Sequence, residues 1–393
     1  MSFVGALAFI VALLLSVMIH EAGHFFTAKR FGMKVTEFFL GFGKKLWSFQ
    51  RGETEFGVKA VPAGGYCRIV GMSMHEPLTE DERPRAFYTS SVPKRLVVLG
   101  AGSFLHFVLG FITLVILFSA VGTSAVSGTV GLVPQCLPSD GKTCAPTDPA
   151  SPAFVAGVKA GDQITAIDGV KYHHWSDAVV KIRASAGKPI DLTIYRGGSI
   201  LHITLTPIAR TVNGKSIGIM GVNNRIGNQR DSIIESLGSA GSLSRQLFTS
   251  SISSLFTLPA KVPALFRETF GREKRDPQGL VGVVGVARVS AQTASDPHLA
   301  TREKIATFLL IVASLNIFVG IFNLLPLLPL DGGHMAIAIA DGVRRTWAKR
   351  RKRPIPAPLD VEKLMPVTIA VFVLLVALSL LLLAADIFNP VTL

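Results

Sequence analysis

The chain has 393 residues, of which 49% are hydrophobic and 17% charged, and its formal net charge is +14. Soluble domains contain roughly a quarter charged residues, so this composition argues against an ordinary soluble protein and favours a membrane protein. The positive charge does not indicate nucleic acid, because it is densest in two short segments that lie between apolar runs.

Four apolar runs are long enough to cross a bilayer, which takes about 20 residues. They lie at approximately 3–19, 96–121, 305–330 and 365–385. The first run has neither a basic stretch before it nor a small-residue cleavage site after it, so we interpret it as a retained helix. The predicted fold class is therefore a polytopic α-helical membrane protein with about four transmembrane helices.

The charges between the spans predict the topology. The segments 28–95 and 335–364 contain 12 and 8 Lys and Arg residues, whereas 123–304 holds the other 20 at lower density. The positive-inside rule places the two short basic segments in the cytoplasm and leaves both termini extracytoplasmic. The basic cluster 349–353 either meets anionic lipid headgroups or belongs to a solvated loop.

The segment 34–70 alternates Gly-rich and apolar positions, which predicts short strands joined by glycine turns. Strands with open edges cannot face lipid, so this β region must lie at the membrane interface or against protein.

The long segment begins with the composition of a linker over 123–149 and becomes globular at Ser151. It predicts an extracytoplasmic α+β domain with strands at 164–167, 190–195 and 200–206 and a helix at 176–186 capped by Ser176. Residues 211–304 are less regular and predict membrane-surface helices. Cys136 and Cys144 would form a disulfide outside the cell, with two free thiols as the alternative.

The motif His20-Glu21-Ala22-Gly23-His24 continues the first apolar run. Helical positions i and i+4 share one face, so His20 and His24 can bind one metal ion, for which imidazole suits zinc. Glu21 is then placed to take a proton from a water that the metal activates. This pattern alone is weak, but ionisable residues inside a membrane helix are costly and therefore favour a functional role.

A catalytic zinc usually has a third protein ligand, and Asp331 follows the third apolar run. Pro326 and Pro329 break the helix before it, and such backbone is tolerated in a membrane where it lines a wet cavity. His334 is a competing ligand, and a turn leaving the membrane is the structural alternative for Asp331. Ferrous iron would suit two histidines and a carboxylate as well as zinc does.

Three further polar residues lie in the apolar runs. The Asn323 amide could hold a substrate backbone or a reaction oxyanion, or it could join helices by a hydrogen bond. For Asn316 and His106, hydrogen bonding between packed helices is the preferred interpretation.

The chain strongly resembles the site-2 protease family of intramembrane zinc metalloproteases, in particular the bacterial PDZ-containing branch that cleaves anti-sigma factors. The resemblance is carried by the motifs at 20–24, 62–66 (Pro-Ala-Gly-Gly-Tyr) and 330–333 (Leu-Asp-Gly-Gly). It implies that His20, His24 and Asp331 bind Zn²⁺ and that Glu21 is the general base. It also implies that Asn323 contacts substrate and that the β region, with Gly64 and Gly65, aligns an unwound substrate as an added strand.

The resemblance implies a protease of the bacterial inner membrane that makes the second cut in regulated intramembrane proteolysis. Its partners would be the lipid bilayer, single-span substrates of the anti-sigma factor type and an upstream site-1 type protease. The PDZ-like domain either binds a peptide carboxylate through the backbone amides of 131–133 or of a nearby stretch, or only blocks access to the active site. The predicted regions follow in chain order: the first transmembrane helix with the metal motif (1–33), the β region with its loop (34–93), the second transmembrane helix (94–122), the extracytoplasmic linker and PDZ-like domain (123–210), an extracytoplasmic or membrane-surface connecting region (211–304), the third transmembrane segment with the asparagine–proline and Leu-Asp-Gly-Gly motifs (305–334), the basic cytoplasmic loop (335–364) and the fourth transmembrane helix (365–386).

The competing hypothesis is a non-enzymatic membrane scaffold or a metal transporter with a PDZ module. A transporter would show paired broken helices in repeated halves, whereas one broken segment is visible here. A scaffold would not need Glu21 between two histidines.

Overall fold

The computed structural model describes residues 2–138, 144–172, 174–212, 214–271, 273–276, 279–354, 356–357, 359 and 361–390. The chain forms two compact units. One consists of Met1–Val121 with Ser232–Leu393, and the other is Gly122–Asp231.

The first unit starts with helix α1 (Ser2–Arg30), which is followed by strands β1 (Val35–Arg51) and β2 (Thr54–Ile69). Helix α2 (Val92–Ile116) has Pro93 in its first turn, where no intrahelical amide donor is needed. It continues as a π-helical turn over Leu117–Val121.

The strands β1 and β2 bend into four short segments of one sheet. Residues 37–40 pair with 65–68 on one side and with 55–58 on the other, while 47–51 pair with 54–58. Gly41 and Gly43 adopt φ of 87° and 83°, which lets β1 turn without ending. Among the described residues, 65–69 is therefore an outer strand of this sheet, and the predicted short strands occur as segments of two long ones.

The described residues of the second unit form ten short elements. In chain order they are β3 (Thr123–Leu132), α3 (Pro152–Val155), β4 (Gln163–Ile167), β5 (Val170–Lys171), α4 (Trp175–Ala184), β6 (Ile190–Arg196), β7 (Ser199–Leu205), β8 (Ile208–Val212), β9 (Lys215–Ile219) and β10 (Asn223–Gln229). The main sheet has the order β10-β3-β4-β6-β7, β5 pairs with β4, and β8 pairs with β9. Its core contains Val130, Ile164, Ile167, Ile182, Leu192 and Ile194.

The structure confirms the three predicted strands of this unit and corrects its boundaries. The predicted linker includes β3, and the unit continues past residue 210 because β10 pairs with β3. Gly131 and Leu132 are the last residues of β3, and carboxylate binding by this stretch or a nearby one stays a prediction. Helix α4 starts one residue earlier than predicted, with His174 rather than Ser176 at its N-cap.

A disulfide joins Cys136 to Cys144, as the preferred interpretation of these cysteines predicted. Cys67 is the free cysteine of the described chain.

The chain returns to the first unit with five helices. They are α5 (Ile233–Phe270), α6 (Val283–Ser295), α7 (Thr301–Asn323), α8 (Asp331–Arg350) and α9 (Met365–Phe388). A capping box of Ser232 and Glu235 starts α5, which packs against α2, α7 and α9. The prediction of a loop at 335–364 was wrong for its first half, which is helical.

Among the residues that the structure describes, four helices are long and apolar enough to span a membrane: Phe3–Arg30, Val92–Val121, Thr301–Asn323 and Met365–Phe388. They correspond to the four predicted spans. The third ends at Asn323 and not near residue 330, because the Pro-containing segment after Leu324 leaves the helix.

Candidate metal centre

The metal-binding motif lies on a buried turn of α1. His20 and His24 are 7% and 8% exposed, and their Nε2 atoms are 3.1 Å apart. This placement follows from the i, i+4 spacing, which puts both imidazoles on the same face of the helix.

Asp331, the first residue of α8, completes the cluster. Its Oδ2 atom lies 3.1 Å from His20 Nε2 and 3.3 Å from His24 Nε2. A tetrahedral zinc ion with ligands at about 2.0–2.1 Å places its ligand atoms about 3.3 Å from one another. The three side chains therefore have the spacing of a single metal site.

The donor set also fits a divalent cation chemically. Within the described chain, Asp331 Oδ2 and His20 Nδ1 are buried polar atoms without a hydrogen-bond partner of acceptable geometry. Buried polar atoms that lack a partner are costly, and a cation at the centre of the triangle would satisfy Asp331. Three protein ligands would leave one coordination position for water or substrate, as in catalytic zinc sites.

Helix α2 fixes the orientation of both imidazoles. His24 Nδ1 lies 2.8 Å from the Val98 carbonyl oxygen, to which it donates, so that Nε2 is left with a lone pair. His20 lies against Gly102, where a Cβ would be 2.5 Å from the imidazole Cε1. A larger residue at 102 would displace the ring.

Two glycines place Asp331. A Cβ at Gly332 would lie 2.3 Å from the Leu324 carbonyl, and one at Gly333 would lie 2.6 Å from the Leu328 nitrogen. The segment between α7 and α8 thus folds directly onto the first turn of α8. This contact brings the carboxylate back to α1.

Glu21 lies beside the outer strand of the β region. A Cβ at Gly65 would be 3.4 Å from Glu21 Cγ and 2.9 Å from Met18 Sδ. Gly64, at φ 155°, faces the Phe42 ring instead. Gly65 therefore lies next to Glu21, whereas the nearest neighbour of Gly64 is Phe42.

The remaining polar residues separate into two groups. Asn323 is the last residue of α7, half-buried and next to the break that precedes Asp331. His334 is absent from the cluster that could hold a metal among the described residues.

Asn316 and His106 form the predicted interhelical hydrogen bond. His106 Nδ1 donates to Asn316 Oδ1 at 2.8 Å, and Asn316 Nδ2 donates to Ser16 Oγ at 3.1 Å. The His106 ring also packs 5.0 Å from that of His20, measured between centroids. This network joins α1, α2 and α7 next to the metal centre.

Sequence reasoning did not identify Gly102 or the Val98 carbonyl. Both act through a contact between α1 and α2, and a glycine or an apolar residue in an apolar helix carries no sequence signal for such a role.

Comparison with known proteins supplies the enzymatic identity. Residues 8–365 match the sequence profile of Peptidase family M50. The chain is 35% identical to zinc metalloprotease Rip1 of Mycobacterium tuberculosis over 99% of this chain and 98% of the relative. It is 32% identical to Rip1 of Mycolicibacterium smegmatis over the same shares.

A more distant relative also matches over nearly the full length of both chains. A putative zinc metalloprotease of Clostridium perfringens is 27% identical over 95% of this chain and 96% of the relative. The family match covers three of the apolar helices, the first of them from residue 8 onward, and both halves of the metal cluster. The chain therefore belongs to peptidase family M50, the site-2 protease family, and is a multi-pass membrane zinc metalloprotease.

Proposed function

We propose that this protease hydrolyses peptide bonds inside the transmembrane segments of single-span membrane proteins. One observation carries the proposal: the three candidate ligands meet where the membrane helix α1 contacts the segment that follows the membrane helix α7. A substrate bond must then reach the level of the bilayer to be cut. A zinc peptidase for soluble substrates would carry its motif outside the spans.

In this proposal His20, His24 and Asp331 hold the zinc ion, and Glu21 is the general base. The ion held by these residues would supply Lewis-acid polarisation of the scissile carbonyl and of a water molecule. Glu21 accepts the proton of the attacking water and passes it to the leaving amine. No covalent bond to the enzyme is needed.

The outer strand 65–69 supports a binding mode for the substrate. A transmembrane helix satisfies its own carbonyls and must unwind before a bond is exposed. The unwound segment adds to this strand by backbone hydrogen bonds, with Gly65 allowing close approach to Glu21. Asn323, the last residue of α7, binds the substrate backbone through its side-chain amide.

A large apolar cavity supports a hydrophobic substrate. It measures about 770 Å³ and lies between α5, α7 and α9. Leu324, Leu325 and Leu327 line it, so it reaches the segment that links Asn323 to Asp331. A membrane segment could enter the protein along this cavity without crossing water.

The unit Gly122–Asp231 is, in this proposal, a PDZ-like module outside the cell that admits substrates shortened by a site-1 type protease. The Cys136–Cys144 disulfide supports that side, because disulfides persist in oxidising compartments. The proposal also places the enzyme in a bacterial inner membrane with both termini outside the cytoplasm. Anti-sigma factors are the expected substrate class, and the cut belongs to regulated intramembrane proteolysis.

The test compares wild type, Glu21→Gln and the control Glu80→Gln on a single-span substrate in detergent, with bound zinc measured in each. Glu80 is an exposed loop residue, so its variant should cleave like wild type. Glu21→Gln should keep zinc and lose at least about a hundredfold in rate, the usual range for a general base. Normal cleavage by Glu21→Gln would refute the assigned base.

A further inference from the structure

A groove lies between the first turns of α2 and the second half of α8. Its volume is about 650 Å³. Leu96, Ile339 and Val343 supply apolar walls, and Arg345, Lys349 and Arg350 supply three positive charges at one end. The proposed proteolytic mechanism does not use this groove.

An ion-pair cluster holds the two walls together. Arg95 of α2 donates to Asp341 Oδ2 of α8 at 2.7 Å, and both residues are buried. Arg345 Nε lies 3.3 Å from Asp341 Oδ1. The groove is therefore a fixed feature of the packing between α2 and α8.

The positive charge at the groove is only partly neutralised. Asp341 forms ion pairs with both Arg95 and Arg345. Lys349 and Arg350 are exposed and have no carboxylate partner among the residues that the structure describes. Two free cations next to an apolar trough are complementary to an amphipathic anion. A purely polar anion would leave the apolar side chains of the groove exposed to solvent.

The groove lies at the end of a membrane span. Helix α2 is apolar enough to span a membrane from Val92 onward, and Val92 lines the groove. Lipid headgroups are found at this level of a transmembrane helix. Trp347 also lines the groove, with the Arg351 guanidinium 4.2 Å from its ring centroid, and tryptophan is enriched at membrane interfaces.

We propose that this groove binds an anionic phospholipid. Lys349 and Arg350 contact the headgroup phosphate, and an acyl chain lies between Leu96, Ile339 and Val343. Each basic side chain near an anionic membrane surface contributes binding energy that salt weakens. Helix α8 thus joins the lipid groove at one end to Asp331 at its other end.

The test uses the full-length, zinc-loaded protein, purified in mild detergent and stripped of lipid. It is titrated with phosphatidylglycerol or with phosphatidylcholine of the same chain length, and bound lipid is counted by native mass spectrometry. Wild type should prefer phosphatidylglycerol. Lys349→Gln with Arg350→Gln should weaken phosphatidylglycerol binding by about tenfold or more and leave phosphatidylcholine binding unchanged.

The matched control is Arg344→Gln with Lys352→Gln. It removes the same charge from residues outside the groove and should bind phosphatidylglycerol like wild type. Equal loss in the control pair would overturn the proposal, since surface charge alone would then suffice. Equal binding of the two lipids by wild type would also overturn it, as would displacement of phosphatidylglycerol by millimolar inorganic phosphate, which would indicate a site for a soluble anion.

Discussion

At the scale of single residues, the metal centre depends on polar side chains that are expensive to keep in an apolar helix. His20, Glu21 and His24 occupy one turn of a span, and Asp331 joins them from a residue far away in the sequence. Sequence reasoning could single out the three clustered residues, because an ionisable residue in a span stands out and Asp331 follows a proline break, whereas the role of Glu21 stays a prediction. The orienting contacts of Val98 and Gly102 could not be predicted, since they depend on which helix faces α1.

The choice between Asp331 and His334 as third ligand is testable. Asp331→Asn should reduce zinc affinity by more than about a hundredfold, because loss of a ligand exceeds the 10–100-fold cost of losing a partner of a ligand. His334→Ala should retain zinc, since this residue lies outside the cluster. Zinc content after dialysis against a graded chelator measures both. A larger loss for His334→Ala would reverse the assignment.

The Asn316 network should affect stability more than metal binding. Asn316→Ala removes hydrogen bonds to His106 and Ser16, and such bonds between membrane helices contribute about 0.6–2 kcal/mol. We expect a lower midpoint of thermal unfolding in detergent with zinc still bound. Val312→Ala on the same helix face is a control for lost volume without lost hydrogen bonds.

At the scale of elements, the start of α8 is placed by backbone contact. The sequence predicted a break before Asp331 from two prolines, but it did not predict that a helix begins there. The run 335–350 is rich in charge and followed by Pro354, which suggested a loop. The helix exists because it packs on α2, where Asp341 and Ala348 are buried, and such tertiary contacts override the local signal.

Gly332→Ala tests this placement. Its new methyl group would lie 2.3 Å from the Leu324 carbonyl, so the turn must move and take Asp331 away from the histidines. We expect a marked loss of bound zinc and of cleavage. Gly241→Ala is the control, because that glycine is in helix α5 with no atom within 4 Å of a new Cβ. Equal zinc in both variants would argue against a placing role for Gly332.

The second unit contains both strands that the sequence predicted and a strand, β3, that it did not. Its strands at 164–167, 190–195 and 200–206 alternate apolar and polar residues, and they were recognisable. Strand β3 reads Thr-Ser-Ala-Val-Ser-Gly-Thr-Val-Gly-Leu and resembles a linker in composition. It is a strand because β10 pairs with it from about a hundred positions later, which no local pattern reveals.

At the scale of the whole molecule, one ion-pair cluster links the β region to the surrounding chain. Glu53, between β1 and β2, accepts two hydrogen bonds from Arg85 at 2.8 Å and one from Lys29 at 2.6 Å. These contacts, led by the hydrogen bonds from Arg85, lower the pKa of Glu53 to about 2. The outer strand beside Glu21 belongs to the same sheet.

This cluster predicts a pH-dependent stability difference between wild type and Glu53→Gln. The folded-state pKa of Glu53 lies below the ordinary value of 4.5, so its contribution is complete above that pH and is lost as the pH falls through about 2. The pair is partly exposed and screened, so the difference should be at most about 1 kcal/mol. Thermal unfolding of both metal-free proteins from pH 7 to pH 3 measures it. A difference that grows towards acid would contradict the assignment.

The central claim is that the enzyme cuts within the bilayer, and the position of the cut tests it most directly. A single-span substrate is reconstituted with the zinc-loaded protein in lipid nanodiscs, and the product termini are identified by mass spectrometry. The account predicts new termini inside the apolar segment, absent when Glu21→Gln replaces the wild type. Termini found only in the water-exposed flanks, with the apolar segment left intact, would contradict it.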